Sequence, residues 1–326
     1  MIKGRIIATG SYVPENVVTN HDLAKLVETS DDWIIERTGI RERRIVNSDQ
    51  ATSDLAYEAS SLALKRAQLK PKDIDLIIVA TITPDMPFPS TACILQARLG
   101  AKSAAAFDVN AACSGFIYGL HLANGFIKSG LHSRILLVGA EVLSKVTDWQ
   151  DRTTCVLFGD GAGAVIIEAT REKRGIFSTH INSDGSLSEL ICLPGSGSRN
   201  PCSQETILRR LNFIKMKGNE TFKVAVRTLE ELVIKTLADN KLDPSQLSLL
   251  IPHQANIRII QATAKRLGLP MEKVFVNIDK YGNTSAASVP IALDEAVQGG
   301  RIREGDYVLL EAFGGGLTWA SSLIRW

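Results

Sequence analysis

Three polar side chains in this 326-residue chain have the types and settings that acyl transfer needs. Cys113, in "NAACSGF", stands between small residues just ahead of a helical pattern. A thiol there meets the unpaired N–H groups and positive dipole end of a helix, and both favour thiolate over thiol. Ala111, Ala112, Ser114 and Gly115 leave room for a sharp strand-to-helix turn and for an acyl group to approach. Position alone leaves two readings open, a nucleophile or the inert buried thiol that free cysteine usually is. Cys93, Cys155, Cys192 and Cys202 lack this setting and read as structural.

His253 follows Pro252 at the end of an apolar run, where α/β folds bring side chains to a crevice, although taken alone it reads first as a satisfied core histidine. Asn283 lies in "GNT", ahead of another helix, and capping is its plain alternative. Together the three make coherent chemistry. A thiolate takes an acyl group from a thioester. Imidazole and carboxamide N–H groups hold the negative charge that develops on a second thioester oxygen when a malonyl unit loses CO₂. The resulting enolate attacks the acyl-cysteine. One well-placed donor of this kind is worth roughly 3–4 kcal/mol. No carboxylate adjoins His253 in sequence, so a protease-like triad has less support. Glycines in "FGGGLTW" (313–319) allow backbone amides to approach an oxyanion closely.

The elements that must position these groups are written twice. "LALKRAQLKPKDIDLIIVAT" (62–81) and "LVIKTLADNKLDPSQLSLLIPHQ" (232–254) each read as helix, turn and buried strand, with Leu76 and Leu249 separated by 173 residues. "CSGFIYGLHLANGFIKSGLHSRILLVGAE" and "TSAASVPIALDEAVQGGRIREGDYVLLEAF" repeat a small-residue opening, a helix, a Gly break and a strand, with Cys113 matched to Thr284 and Ile135 to Tyr307. The short β-rich runs "LIIVA", "ILLVG", "LLIP" and "YVLLEAF" predict strands covered on both faces, and their alternation with helices predicts α/β layering with mixed sheets. Two similar halves follow, 1–174 and 175–326, joined near "EATREKRG", with a cleft expected where their loops meet.

Composition excludes several classes. The chain carries 37 basic and 35 acidic side chains, a net +2, so no global field favours nucleic acid. Five cysteines without C-x-x-C spacing predict reduced thiols in a cytoplasmic protein rather than a disulfide framework or zinc site. No apolar stretch approaches the roughly 18 residues of a membrane span. Histidine spacing predicts no metal site. "FGDGAGAVII" (158–167) looks like a phosphate loop, but between "TCVLF" and "AVIIEA" it reads as strand, turn, strand.

"AACSGF", "PHQANIRI", "GNTSAASVPIALDEA", "LLEAFGGGLTW" and "TSDDWIIERTGIRERR" together resemble the β-ketoacyl-[acyl-carrier-protein] synthase III family, the initiating condensing enzymes of bacterial type II fatty acid synthesis. The likeness runs over nearly the whole chain. Elongating synthases resemble Cys-His-His, and thiolases use a second cysteine near the C-terminus, whereas no cysteine follows Cys202. The resemblance implies a five-layered αβαβα thiolase-like fold made of two duplicated halves, a homodimer, and no cofactor, acetyl-CoA being a substrate. It implies that Cys113 takes the acetyl group while His253 and Asn283 assist decarboxylation of malonyl-[acyl-carrier protein]. Amides of Cys113 and Gly315 would form the oxyanion hole. CoA contacts would come from Thr29, Trp33, Arg37, Thr38, Arg152, Gly218, Phe222 and Asn256, with Trp33 and Arg152 sandwiching the adenine. Phe88, from the dimer interface, with Leu143 and Phe313, would wall the acyl pocket. Arg258, Lys265 and Arg266 recur at helical spacing after His253, which suits an acidic carrier protein or simply a solvated face. The stretch 193–218 is longer than the resemblance leads one to expect. A same-triad paralogue with another primer (quinolone, alkene or polyketide-type) and an inactive carrier-binding relative are the alternatives.

Overall fold

The runs "LIIVA", "ILLVG", "LLIP" and "YVLLEAF" are all strands. The computed structural model describes residues 2–326, and its two large sheets contain β1 (Lys3–Tyr12), β2 (Leu76–Ala80), β3 (Ala105–Val109), β4 (Arg134–Glu141), β5 (Gly161–Thr170), β6 (Gly175–Ser183), β7 (Leu249–Pro252), β8 (Tyr307–Gly314) and β9 (Thr318–Arg325). The first sheet runs β1-β5-β4-β2-β3 and the second β6-β9-β8-β7. Each begins with antiparallel pairs and ends in a parallel pair, β4 with β2 and β8 with β7. Both therefore build the same four-stranded mixed core in the same order, to which the first sheet adds β3 as a fifth strand parallel to β2.

Helices α1 (Asp31–Thr38), α2 (Thr52–Ala67), α3 (Thr91–Leu99), α4 (Gly115–Lys128), α5 (Gly218–Asp239), α6 (Ile257–Arg266) and α7 (Ser288–Gln298) complete the layers. Helices α2 and α3 cover the outer face of the first sheet, α4 and α7 lie between the sheets, and α5 and α6 cover the second. This is the αβαβα arrangement. Phe116, Ile117 and Leu120 of α4 and Val289 and Leu293 of α7 pack between Ile78 and Leu137 on one side and Ile251 and Leu310 on the other. Each such side chain contributes roughly 1.5–3 kcal/mol on burial. The centre also holds a polar clasp, in which buried Asp294 of α7 accepts from Thr9, Ser11 and Arg66.

Strand pairing sets the register of the repeat. Leu76 lies opposite Ile135 and Leu249 opposite Val308, so Ile135 corresponds to Val308, not Tyr307. A 173-residue shift also superposes the one-turn helices Ala112–Ser114 and Ser285–Ala287 and the first residues of α4 and α7. Cys113 thereby matches Ala286 rather than Thr284.

One local expectation fails. "TCVLF" is no strand; Asp151 caps the Thr153 amide, and Arg152–Cys155 turns into a short helix. The glycines after it make room for protein, not phosphate: a Cβ on Gly163 would lie 2.7 Å from the backbone of Pro290 and Ile291 in α7. The long 193–218 stretch is folded, with a helix at Gln204–Leu208 and Met216 pairing with Ile191. Arg210 pins it by donating to buried Asp148, with Nε 2.7 Å from Oδ2.

Candidate active site

Cys113 sits in the tight turn that joins β3 to α4. Ala112 before it has φ +47°, and Gly314 at the end of β8 presses on it so closely that a Cβ there would lie 2.6 Å from Cys113 N. Two crossed bonds tie the turn to the second half: Ser114 Oγ donates to the Thr318 carbonyl at 3.1 Å, and Thr318 Oγ1 donates to the Ala111 carbonyl at 2.8 Å.

His253 follows β7 and is buried, its backbone N–H donating to the Glu311 carbonyl. Its Nδ1 lies 2.5 Å from Ser288 Oγ, the first residue of α7. Ser288 Oγ also accepts from Gln254 N–H at 3.4 Å; when the hydroxyl gives its own proton to Nδ1, the ring proton sits on Nε2. Burial pushes the imidazole down to about 3, so it is neutral at any ordinary pH. Asn283 is fixed by a bridge that pairs its segment with Phe158. Its Oδ1 accepts from Ser285 N–H at 2.8 Å, which settles the amide's orientation and leaves Nδ2 as the free end, a donor.

Cys113, His253 and Asn283 all line one cavity of about 250 Å³. Trp33, Arg37, Thr38, Gly218, Phe222, Asn256, Arg258 and Phe313, expected from sequence to contact substrate or carrier protein, line it too. Thr29, Arg152, Leu143, Gly315 and Phe88 do not. Arg152 nevertheless lies over the Trp33 ring at 5.0 Å, with Arg37 4.8 Å from the same ring. Leu143 belongs to the apolar cluster of Cys155 and Phe158, and Phe88 is 84% exposed on a loop tip. On α6, Arg258 stands 5.6 Å from Phe222 at the cavity, Lys265 is exposed, and Arg266 pairs with Glu230.

The thiol departs from expectation. Surrounding protein atoms desolvate it and push it up to about 12, with the charge of Glu141 adding in the same direction. Sequence reasoning also missed Ile191, its strand partner Met216 and Leu229 of α5, which supply apolar wall. It missed Ser288 as well, whose type at a helix start reads as an ordinary cap. Among the described residues no three His, Cys, Asp or Glu side chains are grouped to hold a metal, and all five cysteines are free. No helix of the described residues is long and apolar enough to cross a membrane.

A five-layered duplicated fold with a cysteine, a neutral histidine and an asparagine on one cavity defines a thiolase-like condensing enzyme. Residues 107–185 match the family model of 3-oxoacyl-[acyl-carrier-protein (ACP)] synthase III, and residues 237–326 match its C-terminal model. The chain is 55% identical over 325 residues to the β-ketoacyl-[acyl-carrier-protein] synthase III of Caldanaerobacter subterraneus, covering 100% of this chain and 98% of that protein. It is 56% identical over 332 residues to the enzyme of the same name from Xanthomonas campestris, covering 100% and 99%. The crystal structure of the Aquifex aeolicus 3-oxoacyl-[acyl-carrier-protein] synthase III superposes with a TM-score of 0.93 at 51% identity, covering 99% of this chain and 100% of that one. The chain belongs to the β-ketoacyl-[acyl-carrier-protein] synthase III family, the acyltransferases that start type II fatty acid synthesis.

Proposed function

We propose that Cys113 is acylated by acetyl-CoA and that the acyl-enzyme condenses with malonyl-[acyl-carrier protein], giving 3-oxobutanoyl-[acyl-carrier protein], CO₂ and CoA. The observation that carries this reading is the shared cavity, with a thiol and two oriented N–H donors on its wall. In the first half-reaction Cys113 Sγ bonds the acetyl carbon and the CoA sulfur leaves. Amides of Cys113 and Gly315 hold the oxygen of that tetrahedral intermediate; the tight seat of Gly314 against Cys113 supports this assignment. In the second, Nε2–H of His253 and Nδ2–H of Asn283 donate to the malonyl thioester oxygen while the carboxylate departs as CO₂. The enolate carbon then attacks acyl-Cys113. A neutral imidazole suits this task, because it donates without surrendering its proton to the enolate.

CoA enters past Trp33, and its adenine takes the face on which Arg152 now rests. Thr29, Arg37, Thr38, Gly218, Phe222 and Asn256 line the path of the phosphates and pantetheine. Arg258, Lys265 and Arg266 make the docking face for the acidic carrier. The exposed apolar tip at Met86 and Phe88 supports a homodimer in which Phe88 reaches the partner's acyl pocket, walled also by Phe313 and Leu143. The working site is cytoplasmic and needs no cofactor.

The test is to incubate the protein with acetyl-CoA and with longer or branched acyl-CoAs and weigh the Cys113 peptide. Acetylation alone supports the initiator. Long or aromatic acyl groups point to a paralogue with another primer, and an unmodified Cys113 points to an inactive carrier-binding relative. Cys113→Ser should lose all acyl transfer; a variant that turns over normally removes the nucleophile.

A further inference from the structure

His253 and Asn283 come from different loops, so the distance between their two N–H donors must be set from outside the cavity. Gln254, next to His253, is 1% exposed, and its side chain is fully engaged with backbone. Its Nε2 donates to the carbonyls of Pro252 (2.8 Å) and Phe275 (3.1 Å), and its Oε1 accepts from the Asn277 amide (3.0 Å). Asn277 is buried too, and it carries the connection onward: its Nδ2 donates to Glu295 Oε2 at 3.0 Å. The other oxygen of that carboxylate accepts from Tyr281 Oη at 2.5 Å. Tyr281 closes the one-turn helix Ile278–Tyr281, two residues before Asn283. A single carboxylate on α7 is thus joined to the segments that carry both donors.

We propose that Glu295 is a positioning residue for decarboxylation: its two oxygens, tied to Asn277 and Tyr281, fix the spacing of His253 and Asn283 so that both donors reach one thioester oxygen. This rests on the reading of those two side chains as the groups that hold the enolate charge. None of Gln254, Asn277, Tyr281 and Glu295 lines the cavity, so they reach the substrate only through the residues they hold.

The placement of Glu295 supports the brace. Ser288 and Glu295 stand seven residues apart on one face of α7. Ser288 meets the His253 ring, and Glu295 meets the chain ahead of Asn283, so one helix carries the ties to both donors. The Glu295 side chain is 24% exposed, with Lys280 Nζ 3.6 Å from Oε2. Water was open to it, yet both oxygens take donors from the protein. The repeat supplies a control: at the 173-residue shift its place on α4 belongs to Leu122, which packs against the apolar centre. A helix in this layer therefore needs no carboxylate to pack.

The full-length protein and its Glu295→Ala, Glu295→Gln and Tyr281→Phe variants would be compared in two assays. One weighs acyl-Cys113 formed from acetyl-CoA; the other counts labelled CO₂ released over a range of malonyl-[acyl-carrier protein] concentrations. Glu295→Ala should lower the kcat of decarboxylation about 100-fold, as a displacement near 1 Å does, with the carrier's KM and the acylation rate close to wild type. Tyr281→Phe keeps the Asn277 tie and should lose about 10-fold in that step alone. Glu295→Gln should stay within about 3-fold of wild type, because its amide oxygen can accept from Asn277 while its NH₂ donates to Tyr281 Oη. This rescue and the split between half-reactions are what a general loss of packing would not produce. If Glu295→Ala does not fold, Tyr281→Phe decides. Wild-type decarboxylation by Tyr281→Phe, equal loss of both half-reactions, or a loss of about 100-fold in Glu295→Gln overturns the brace. His253→Ala tells the two readings apart: normal decarboxylation by that variant overturns the donor assignment and the brace with it, whereas its failure beside a normal Glu295→Ala overturns the brace alone.

Discussion

Replacing His253 with alanine separates the two half-reactions and tests why the ring is held neutral. In the folded chain the imidazole is surrounded by β7, β8 and α7, and its Nδ1 is committed to Ser288. Protonating a site with a midpoint of about 3 rather than 6.5 costs about 5 kcal/mol at neutral pH. The ring therefore works as a fixed Nε2–H donor, and the condensation half-reaction should show no break near pH 6.5. Removing one preorganised donor from a developing oxyanion costs about 3–4 kcal/mol, or about 10²–10³ in rate. His253→Ala should thus release CO₂ from malonyl-carrier protein about 10²–10³-fold more slowly, while acetyl-CoA still labels Cys113 at close to the normal rate. The two are measured separately, by trapped labelled CO₂ and by intact-protein mass. Equal loss of both half-reactions would show that the ring serves the nucleophile instead. A wild-type decarboxylation rate that titrates near 6.5 would show that the imidazole is not desolvated as its burial implies.

Ser288→Ala leaves Nδ1 buried without its partner, at a cost of about 1–3 kcal/mol, and frees the ring to adopt the wrong tautomer. Decarboxylation should fall about 10-fold or more with Cys113 acylation unchanged, and a rate equal to wild type would remove the tautomer assignment. Gly314→Ala places a Cβ 2.6 Å from Cys113 N, so the nucleophile's turn must move. A displacement near 1 Å costs about 100-fold, read as slowed acylation by acetyl-CoA, and normal acylation would mean the turn yields freely. Glu311 is buried with neither carboxylate oxygen partnered, and burial pushes it up to about 8. The folded chain then keeps a proton that the unfolded chain, titrating near 4.5, releases, so this group's contribution to stability falls as pH rises between those values. Glu311→Gln should raise the urea midpoint at pH 8 and flatten its decline above pH 5; a lower midpoint at pH 8 would refute this.

What could be read along the chain was whatever local pattern carries. The runs "LIIVA" and "LLIP" announce strands because both faces are covered, and the segments "NAACSG" and "NTSAAS" announce the same turn twice. Register was legible only to within two residues, because small residues align almost equally well at neighbouring offsets until strand pairing fixes Leu76 opposite Ile135 and Leu249 opposite Val308. The state of the thiol was not legible at all. A helix start is a local feature, whereas the wall that desolvates Cys113 includes Phe313 and His253, 200 and 140 residues further on. Glu141 is hidden for the same reason, its donors lying up to 144 residues away.

The 173-residue correspondence gives the site its logic. Ala80 and Gly115 in the first half stand where His253 and Ser288 stand in the second, and Ala112 stands where Ser285 does. In the first half, small residues let the start of α4 pack closely on the end of β2: a Cβ on Gly115 would lie 3.2 Å from that of Ala80. In the second, the same places carry the imidazole, the Ser288 hydroxyl against its Nδ1, and Ser285, whose hydroxyl donates to buried Glu141. One copy of the fold offers the electron pair and the other supplies groups that hold charge and protons. Because corresponding elements face each other across α4 and α7, changes of side chain at matched positions suffice to place complementary chemistry on one cavity without altering either backbone.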